Sequence, residues 1–219
     1  MWWDGLPELV FDPAQIFGAI IVGYLLGSIP FGLLITRAAG LGDIRDIGSG
    51  NIGATNVMRT GRSGLAVATL LGDMGKGALA TLAVGMAAGP IPGVVAGCGA
   101  FVGHIYPVWL RFKGGKGVAT YFGILLSFGW PIGLLAGATW IAVAFFTRYS
   151  SLAALVAAVA APVYLALFGL YWLITPAAFC AVLIYWRHRG NIQRLLTKTE
   201  PRIGEKEKLP AVEASASPR

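Results

Sequence analysis

The chain has 219 residues, of which 56% are hydrophobic and only 12% charged, with a formal net charge of +7 and a mean hydropathy of +0.71. Its apolar residues come in long unbroken stretches rather than alternating with polar ones, which excludes a soluble globular domain and leaves room for one compact membrane bundle without a sizeable second domain. The basic residues are strung along the ends of those stretches, so the charge is not a nucleic-acid signature.

The opening segment "MWWDGLPELVFDP" carries acids where a cleavable signal would carry lysine or arginine, so no signal peptide is expected, and Trp2 and Trp3 suit interfacial anchoring. Apolar runs bounded by Gly, Pro or charge follow at 13–36, 64–88, 91–110, 117–129, 131–147, 152–168 and 170–186, against about 20 residues for an untilted crossing. The pattern predicts an all-α polytopic transmembrane bundle of seven spans. Pro30, in "GSIPFG", falls inside the first run and should kink it while freeing a carbonyl. Asp73 and Lys76 lie one turn apart in the second run, where a lone charge costs roughly 2.5–3.5 kcal/mol, so an intramembrane pair is expected. Cys98 and Cys180 sit in apolar runs without metal-site spacing and read as ordinary buried thiols. The stretch 117–147, about 46 Å if helical, is too long for one ordinary span and short for two; two short or tilted helices turning at Gly129-Trp130-Pro131 are predicted.

Charge placement sets the expected orientation. With seven spans, Arg37, Arg45, Arg59 and Arg62, then Arg111, Lys113 and Lys116, then Arg148, then Arg187, Arg189 and Arg194 all fall on one side, while the other keeps Asp4, Glu8 and Asp12. The positive-inside bias makes the basic side cytoplasmic, the N-terminus periplasmic and the C-terminus cytoplasmic. Merging 117–147 into one span would put Arg148 on the wrong side. Residues 1–196 form the expected transmembrane domain, and "TKTEPRIGEKEKLPAVEASASPR", 197–219, reads as a disordered cytoplasmic tail.

Three polar stretches interrupt this pattern. In "RDIGSGNIGATNVMRTGR" (45–62), Gly48-Ser49-Gly50-Asn51 and Gly53 can form a nest of backbone N–H groups that takes an oxyanion; a helix starting near Thr55 would add positive potential, and Arg59 a bidentate fork. Topology alone explains the arginines but not the crowding of Ser49, Asn51, Thr55 and Asn56. In "RFKGGKGVAT" (111–120), Lys113 and Lys116 flank two glycines just before a helix, without a GxxxxGK[ST] pattern. By itself that turn suits a lipid headgroup; two such turns on one face suit a phosphate, since a lysine about 4 Å from a phosphate oxygen contributes about 4 kcal/mol at an effective dielectric near 20. In "WRHRGNIQRLL" (186–196), His188 and Asn191 share a helical face among Arg187, Arg189 and Arg194; the arginines favour a neutral histidine able to accept or pass a proton, and a basic cluster holding anionic lipid is the plainer reading. His104, in "GHIYPVW", reads as a packing or hydrogen-bonding residue, and Ser150 and Ser151 as caps of the next helix.

Taken in order, "LLGSIPFG", "DIGSGNIGATNVMRTGR", "GDMGKG", "GHIYPVWLRFKGGKGVAT" and "RHRGNIQRLL" resemble the bacterial acyl-phosphate:glycerol-3-phosphate acyltransferase family over roughly residues 13–196. The resemblance implies an integral inner-membrane enzyme with its active site at the cytoplasmic face. It would transfer an acyl group from acyl phosphate, not a thioester, to the primary hydroxyl of sn-glycerol 3-phosphate, giving lysophosphatidic acid and inorganic phosphate for phospholipid synthesis. No cofactor and no metal are expected. By similarity Ser49, Arg59, Lys116, His188 and Asn191 would be catalytic, and Gly50, Asn51, Thr55, Asn56, Lys113 and Ser151 would bind substrate. Spacing does not choose between Lys113 and Lys116; Lys116 is favoured because it opens the helix. The His-x4-Asp dyad of the other acyltransferase class is absent, since Trp109 follows His104 at that distance and Gln193 follows His188. The general base is then His188 or a substrate phosphate oxygen, with the phosphate preferred and His188 orienting it. The rival readings are a secondary transporter of a phosphorylated solute and a non-catalytic scaffold.

Overall fold

The computed structural model describes residues 12–205, so Trp2, Trp3, Asp4 and Glu8 lie outside the described residues. Helix α1 (Pro13–Gly27) begins where Asp12 accepts the Ala14 N–H at 2.9 Å and Pro13 supplies a preset first turn. It stops at Ser28-Ile29-Pro30, because proline has no N–H to continue the ladder, and α2 (Phe31–Ala38) resumes beyond the break. A loop carrying the one-turn helix α3 (Ala54–Val57) leads into α4 (Ser63–Ala88), which turns at Gly89 into α5 (Pro90–Ile105). After the 106–117 loop come α6 (Val118–Phe128), α7 (Trp130–Thr147), α8 (Ser150–Leu167), α9 (Ile174–Arg187) and the short α10 (Arg189–Leu196).

All seven apolar runs are helical, and the predicted division of 117–147 falls at Gly129. Among the described residues, five stretches are long and apolar enough to cross a bilayer: 13–38 taken across its break, 63–88, 90–110, 130–147 and 150–167. The other two of the seven expected spans correspond to shorter helices, α6 of 11 residues and α9 of 14. Helix α6 is only about 16 Å long, roughly half the hydrocarbon depth. Exposed Phe145 and Phe146, 78% and 82% accessible, lie on α7 with other large apolar side chains facing outward along the bundle. Such a surface suits lipid and not water.

Helices α1 and α5 pack along each other with small residues at the contact. Side chains at Gly23 and Gly27 would overlap the backbone of Ala96 and Ala100, and those at Gly99 and Gly103 would overlap the 20–28 backbone in return. Without a hydrophobic drive between helices in lipid, this close approach is what provides attraction. A second core joins α5, α6, α8 and α9 through Phe101, Ile105, Tyr121, Ile124, Leu165 and Ile184, all essentially inaccessible. Both cysteines are free, Cys180 buried and Cys98 half-buried.

The basic loops meet at one end of this bundle. Thr55 Oγ1 lies 3.3 Å from Ser150 Oγ, the Arg187 guanidinium donates to the Gly114 and Gly115 carbonyls, and the Arg148 guanidinium donates to the Ile203 carbonyl at 2.8 Å. The expected tail is packed where it begins. Residues 197–205 fold back over α10 and reach the α7–α8 turn, with Ile203 N–H donating to the Arg148 carbonyl and Arg202 over the Tyr149 ring; residues 206–219 lie outside the described residues.

Candidate active site: a cationic cleft

At that end lies a cleft of about 260 Å³ lined by Ser49, Lys116, Trp186, Arg187, Arg189, Gly190, Asn191 and Arg194. Its residues come from three separate stretches of chain, each held by a different local device.

Asn56 organises the first. It is buried, its amide donates to the Ile44 and Ile47 carbonyls at 3.0 and 2.9 Å, and its Oδ1 accepts from Ser49 N–H and Ser49 Oγ at 3.0 and 3.2 Å. Both amide hydrogens and both Oδ1 lone pairs of Asn56 are thereby used, so here it holds the loop and presents Ser49. Two amides of the anticipated backbone nest are likewise taken, Ser49 N–H by Asn56 and Gly50 N–H by the Ile47 carbonyl at 3.1 Å. Helix α3 offers little dipole, because it is a single turn whose Asn56 and Val57 amides already bond to the Gly53 carbonyl. Arg45 and Arg37 are also committed; Arg45 chiefly, then Arg37, holds the Asp43 carboxyl well below the usual carboxylate range. Arg59 is different. It is exposed, folds against Gly48 and has no ion pair among the described residues.

The second stretch brings Lys116. Its ammonium is half-buried and donates to Asn191 Oδ1 at 2.6 Å. Burial pushes its pKa down to about 8; Glu200 opposes that, and Arg194, Arg187 and Arg59 add to it. Lys113 is exposed and outside the cleft lining. Gly50, Asn51 and Thr55 also lie outside the lining.

From the third stretch, α10 presents Asn191, whose Nδ2 donates to Glu200 Oε1 at 2.6 Å, while Arg194 Nε reaches Glu200 Oε2 at 2.7 Å. Glu200 therefore fixes which way the Asn191 amide faces and aims its oxygen at Lys116. Burial raises the Glu200 carboxyl, but Ser151, Asn191 and Arg194 outweigh it and hold the group below its ordinary value. Ser151 is buried beside that carboxylate without closing a hydrogen bond, and α8 carries no side-chain cap, so the capping role expected of Ser150 and Ser151 is not what they do. His188 sits behind the lining, 2% exposed, with Nδ1 2.8 Å from the Ile184 carbonyl. A carbonyl can only accept, so Nδ1 carries the hydrogen and Nε2 is bare. Burial first, then Lys116, pushes its pKa down to about 4, leaving it neutral near pH 7.

Sequence reasoning missed Glu200 and gave Arg187 no specific role. Arg187 Nε and Nη2 hold the Gly115 and Gly114 carbonyls at 3.2 and 3.0 Å, supporting the Lys116 turn. The signal for Glu200 was its charge: an acid within twelve residues of His188, Asn191 and Arg194, read as tail.

The family model described as glycerol-3-phosphate acyltransferase matches residues 17–198. The chain belongs to the glycerol-3-phosphate acyltransferase family. It is 59% identical to the glycerol-3-phosphate acyltransferase of Caulobacter vibrioides, over 91% of this chain and 92% of the relative, and 54% identical to that of Brucella anthropi, over 92% and 100%. It is also similar to the crystal structure of PlsY (YgiH), an integral membrane glycerol 3-phosphate acyltransferase, in the glycerol 3-phosphate form. That match has a TM-score of 0.81 and 37% identity, and covers 86% of this chain and 96% of the other. A lysophosphatidic acid form of PlsY matches at a TM-score of 0.80 and 36% identity. The expected family is thus the observed one, and the glycerol-3-phosphate acyltransferase fold described here is that of an integral membrane protein. No group of three or more His, Cys, Asp or Glu able to hold a metal occurs among the described residues.

Proposed function

We propose that the cleft binds the phosphates of glycerol 3-phosphate and acyl phosphate and that acyl transfer takes place at its mouth, at the cytoplasmic face of the bacterial inner membrane. The observation that carries this reading is the convergence of Ser49, Lys116, Asn191, Arg187, Arg189 and Arg194 on one small polar cleft, with Arg59 nearby. A cleft of about 260 Å³ suits a phosphorylated triol and leaves the acyl chain to lie along the apolar exterior, which lipid covers. Seven crossings with a periplasmic N-terminus are supported by the loops at the opposite end, 88–91, 128–131 and 167–173, which carry no lysine or arginine.

In the proposed reaction the primary hydroxyl attacks the acyl carbonyl carbon, the carbonyl–phosphate oxygen bond breaks, and the hydroxyl proton passes to a phosphate oxygen. The products are lysophosphatidic acid and inorganic phosphate. Phosphate is a good leaving group, so positioning and cations that take up its developing charge carry the catalysis. His188 suits an orienting role better than that of base. A pKa of about 4 is far from the operating pH, its Nδ1 is tied to Ile184, and it lies behind the lining. His188→Ala is accordingly expected to raise KM for glycerol 3-phosphate while leaving most of kcat. A fall of about 10²–10⁴ in kcat at unchanged KM would make His188 the base.

Lys116 also predicts a pH dependence. Above about 8 the free enzyme loses this ammonium, so KM for glycerol 3-phosphate should rise with pH through that value. Lys116→Arg, which stays charged, should flatten the rise. The test of the function itself is purified protein in detergent with palmitoyl phosphate and glycerol 3-phosphate. Release of inorganic phosphate is expected; a transporter of a phosphorylated solute would release none.

A further inference from the structure

The reaction leaves one buried charged cluster without a task. Asp73 and Lys76 of α4 and His104 of α5 are each at most 4% exposed. Lys76 Nζ lies 2.8 Å from Asp73 Oδ1 and donates to the Ile29 carbonyl at 2.8 Å, at the break between α1 and α2; His104 Nδ1 lies 3.4 Å from the same Asp73 oxygen. Charges withdrawn this far from water are costly, and an apolar trio would fill the same space.

The opposite edge of the imidazole supplies a reason. The three atoms nearest to where a Gly115 side chain would stand are Nε2, Cε1 and Cδ2 of His104, and a methyl group there would overlap the ring. Gly115 does not have a left-handed backbone, so conformation alone would admit alanine; the ring is what leaves no room. The His104 carbonyl also accepts the Gly115 N–H at 3.1 Å, and the Ile105 carbonyl the Gly114 N–H at 3.0 Å. On the other face Arg187 holds the Gly114 and Gly115 carbonyls. The next residue is Lys116.

We propose that Asp73, Lys76 and His104 form a positioning triad for the cleft. The Asp73 carboxylate orients the imidazole, the imidazole sets the height of the Gly114–Gly115 turn, and the turn delivers the Lys116 ammonium to Asn191. Lys76, anchored on Ile29, ties that arrangement to the α1–α2 break. None of the three lines the cleft, so each acts through the turn. This rests on the reading of Lys116 as a phosphate-binding group.

The test compares full-length protein in detergent carrying Gly115→Ala, His104→Ala, both, or Lys116→Ala, with KM for glycerol 3-phosphate, kcat and thermal unfolding measured for each. Gly115→Ala should raise KM by about tenfold or more, through displacement of Lys116, in a protein that still unfolds cooperatively at a somewhat lower midpoint. Adding His104→Ala empties the space and should return KM to about that of His104→Ala alone. Should His104→Ala yield no folded protein, His104→Asn carries the comparison, since its amide keeps a polar atom toward Asp73 and removes the ring edge facing Gly115. A double variant no better than Gly115→Ala, beside a Lys116→Ala with raised KM, would overturn the positioning alone. Unaltered KM in Lys116→Ala would overturn the phosphate reading and this proposal with it.

Discussion

Replacing Lys116 with alanine is expected to lower kcat/KM for glycerol 3-phosphate by about 10²–10³-fold, the range for removing one preorganised donor from developing charge. Coulomb's law gives a similar scale, since a cation about 4 Å from a phosphate oxygen contributes about 4 kcal/mol at an effective dielectric near 20. Of the three arginines that line the cleft, Arg189 lies over the Trp186 ring and the other two are held by hydrogen bonds. Arg187 is engaged with the Gly114 and Gly115 carbonyls and Arg194 with Glu200, while the Lys116 ammonium spends one of its three protons on Asn191 and keeps two. Removing a cation crowded by arginines should leave thermal stability unchanged or raise it, so lost activity could not be blamed on unfolding. Initial rates of phosphate release against glycerol 3-phosphate concentration decide the matter, and a loss of less than about tenfold would show that Lys116 does not face substrate phosphate.

The second large effect is on stability. Asp73→Ala leaves the Lys76 ammonium buried with only the Ile29 carbonyl and the face of the Phe31 ring beside it, and breaking a buried pair on one side costs about 3–5 kcal/mol. The unfolding midpoint in detergent should fall sharply and little protein should reach the membrane. Because exchanging a whole buried pair for apolar residues of similar size is often neutral, Asp73→Leu combined with Lys76→Met should recover most of the midpoint. Activity should not return with it, since the His104 ring would have lost the carboxylate that orients it. A double variant as unstable as Asp73→Ala would mean that shape, not an uncompensated charge, limits this site.

Helical content and the break at Pro30 were legible because the solvent constrains them strongly: backbone groups in lipid must be satisfied within the chain, so long apolar runs become helices and proline interrupts them. The polar stretches were legible as exceptions to that rule. Membrane crossing was less so, since nothing in "VATYFGILLSF" tells a short helix wedged between neighbours from one that meets both interfaces. Within the loops, composition could not say which donors were already spent. Asn56 looks as available as Ser49 in the sequence; only the fold shows it clasping Ile44 and Ile47. Lys113 and Lys116 differ in sequence only by their distance from the helix start, yet one is solvent-exposed and the other reaches α10. Glu200 was hidden by its neighbours, for a charged, proline-bearing segment reads as solvated whatever one acid within it grips.

That grip sets where the chain can tolerate change. A protein ended after Leu196 would keep every apolar helix, yet Asn191 would be free to swing its amide and Lys116 would face nitrogen as readily as oxygen. Lengthening or shortening the link between α10 and Glu200 would have the same consequence, whereas extra residues grafted beyond Glu205 would leave the clasp closed. The turns that lead to Glu200 thus belong to the proposed cleft as much as to the segment that follows α10.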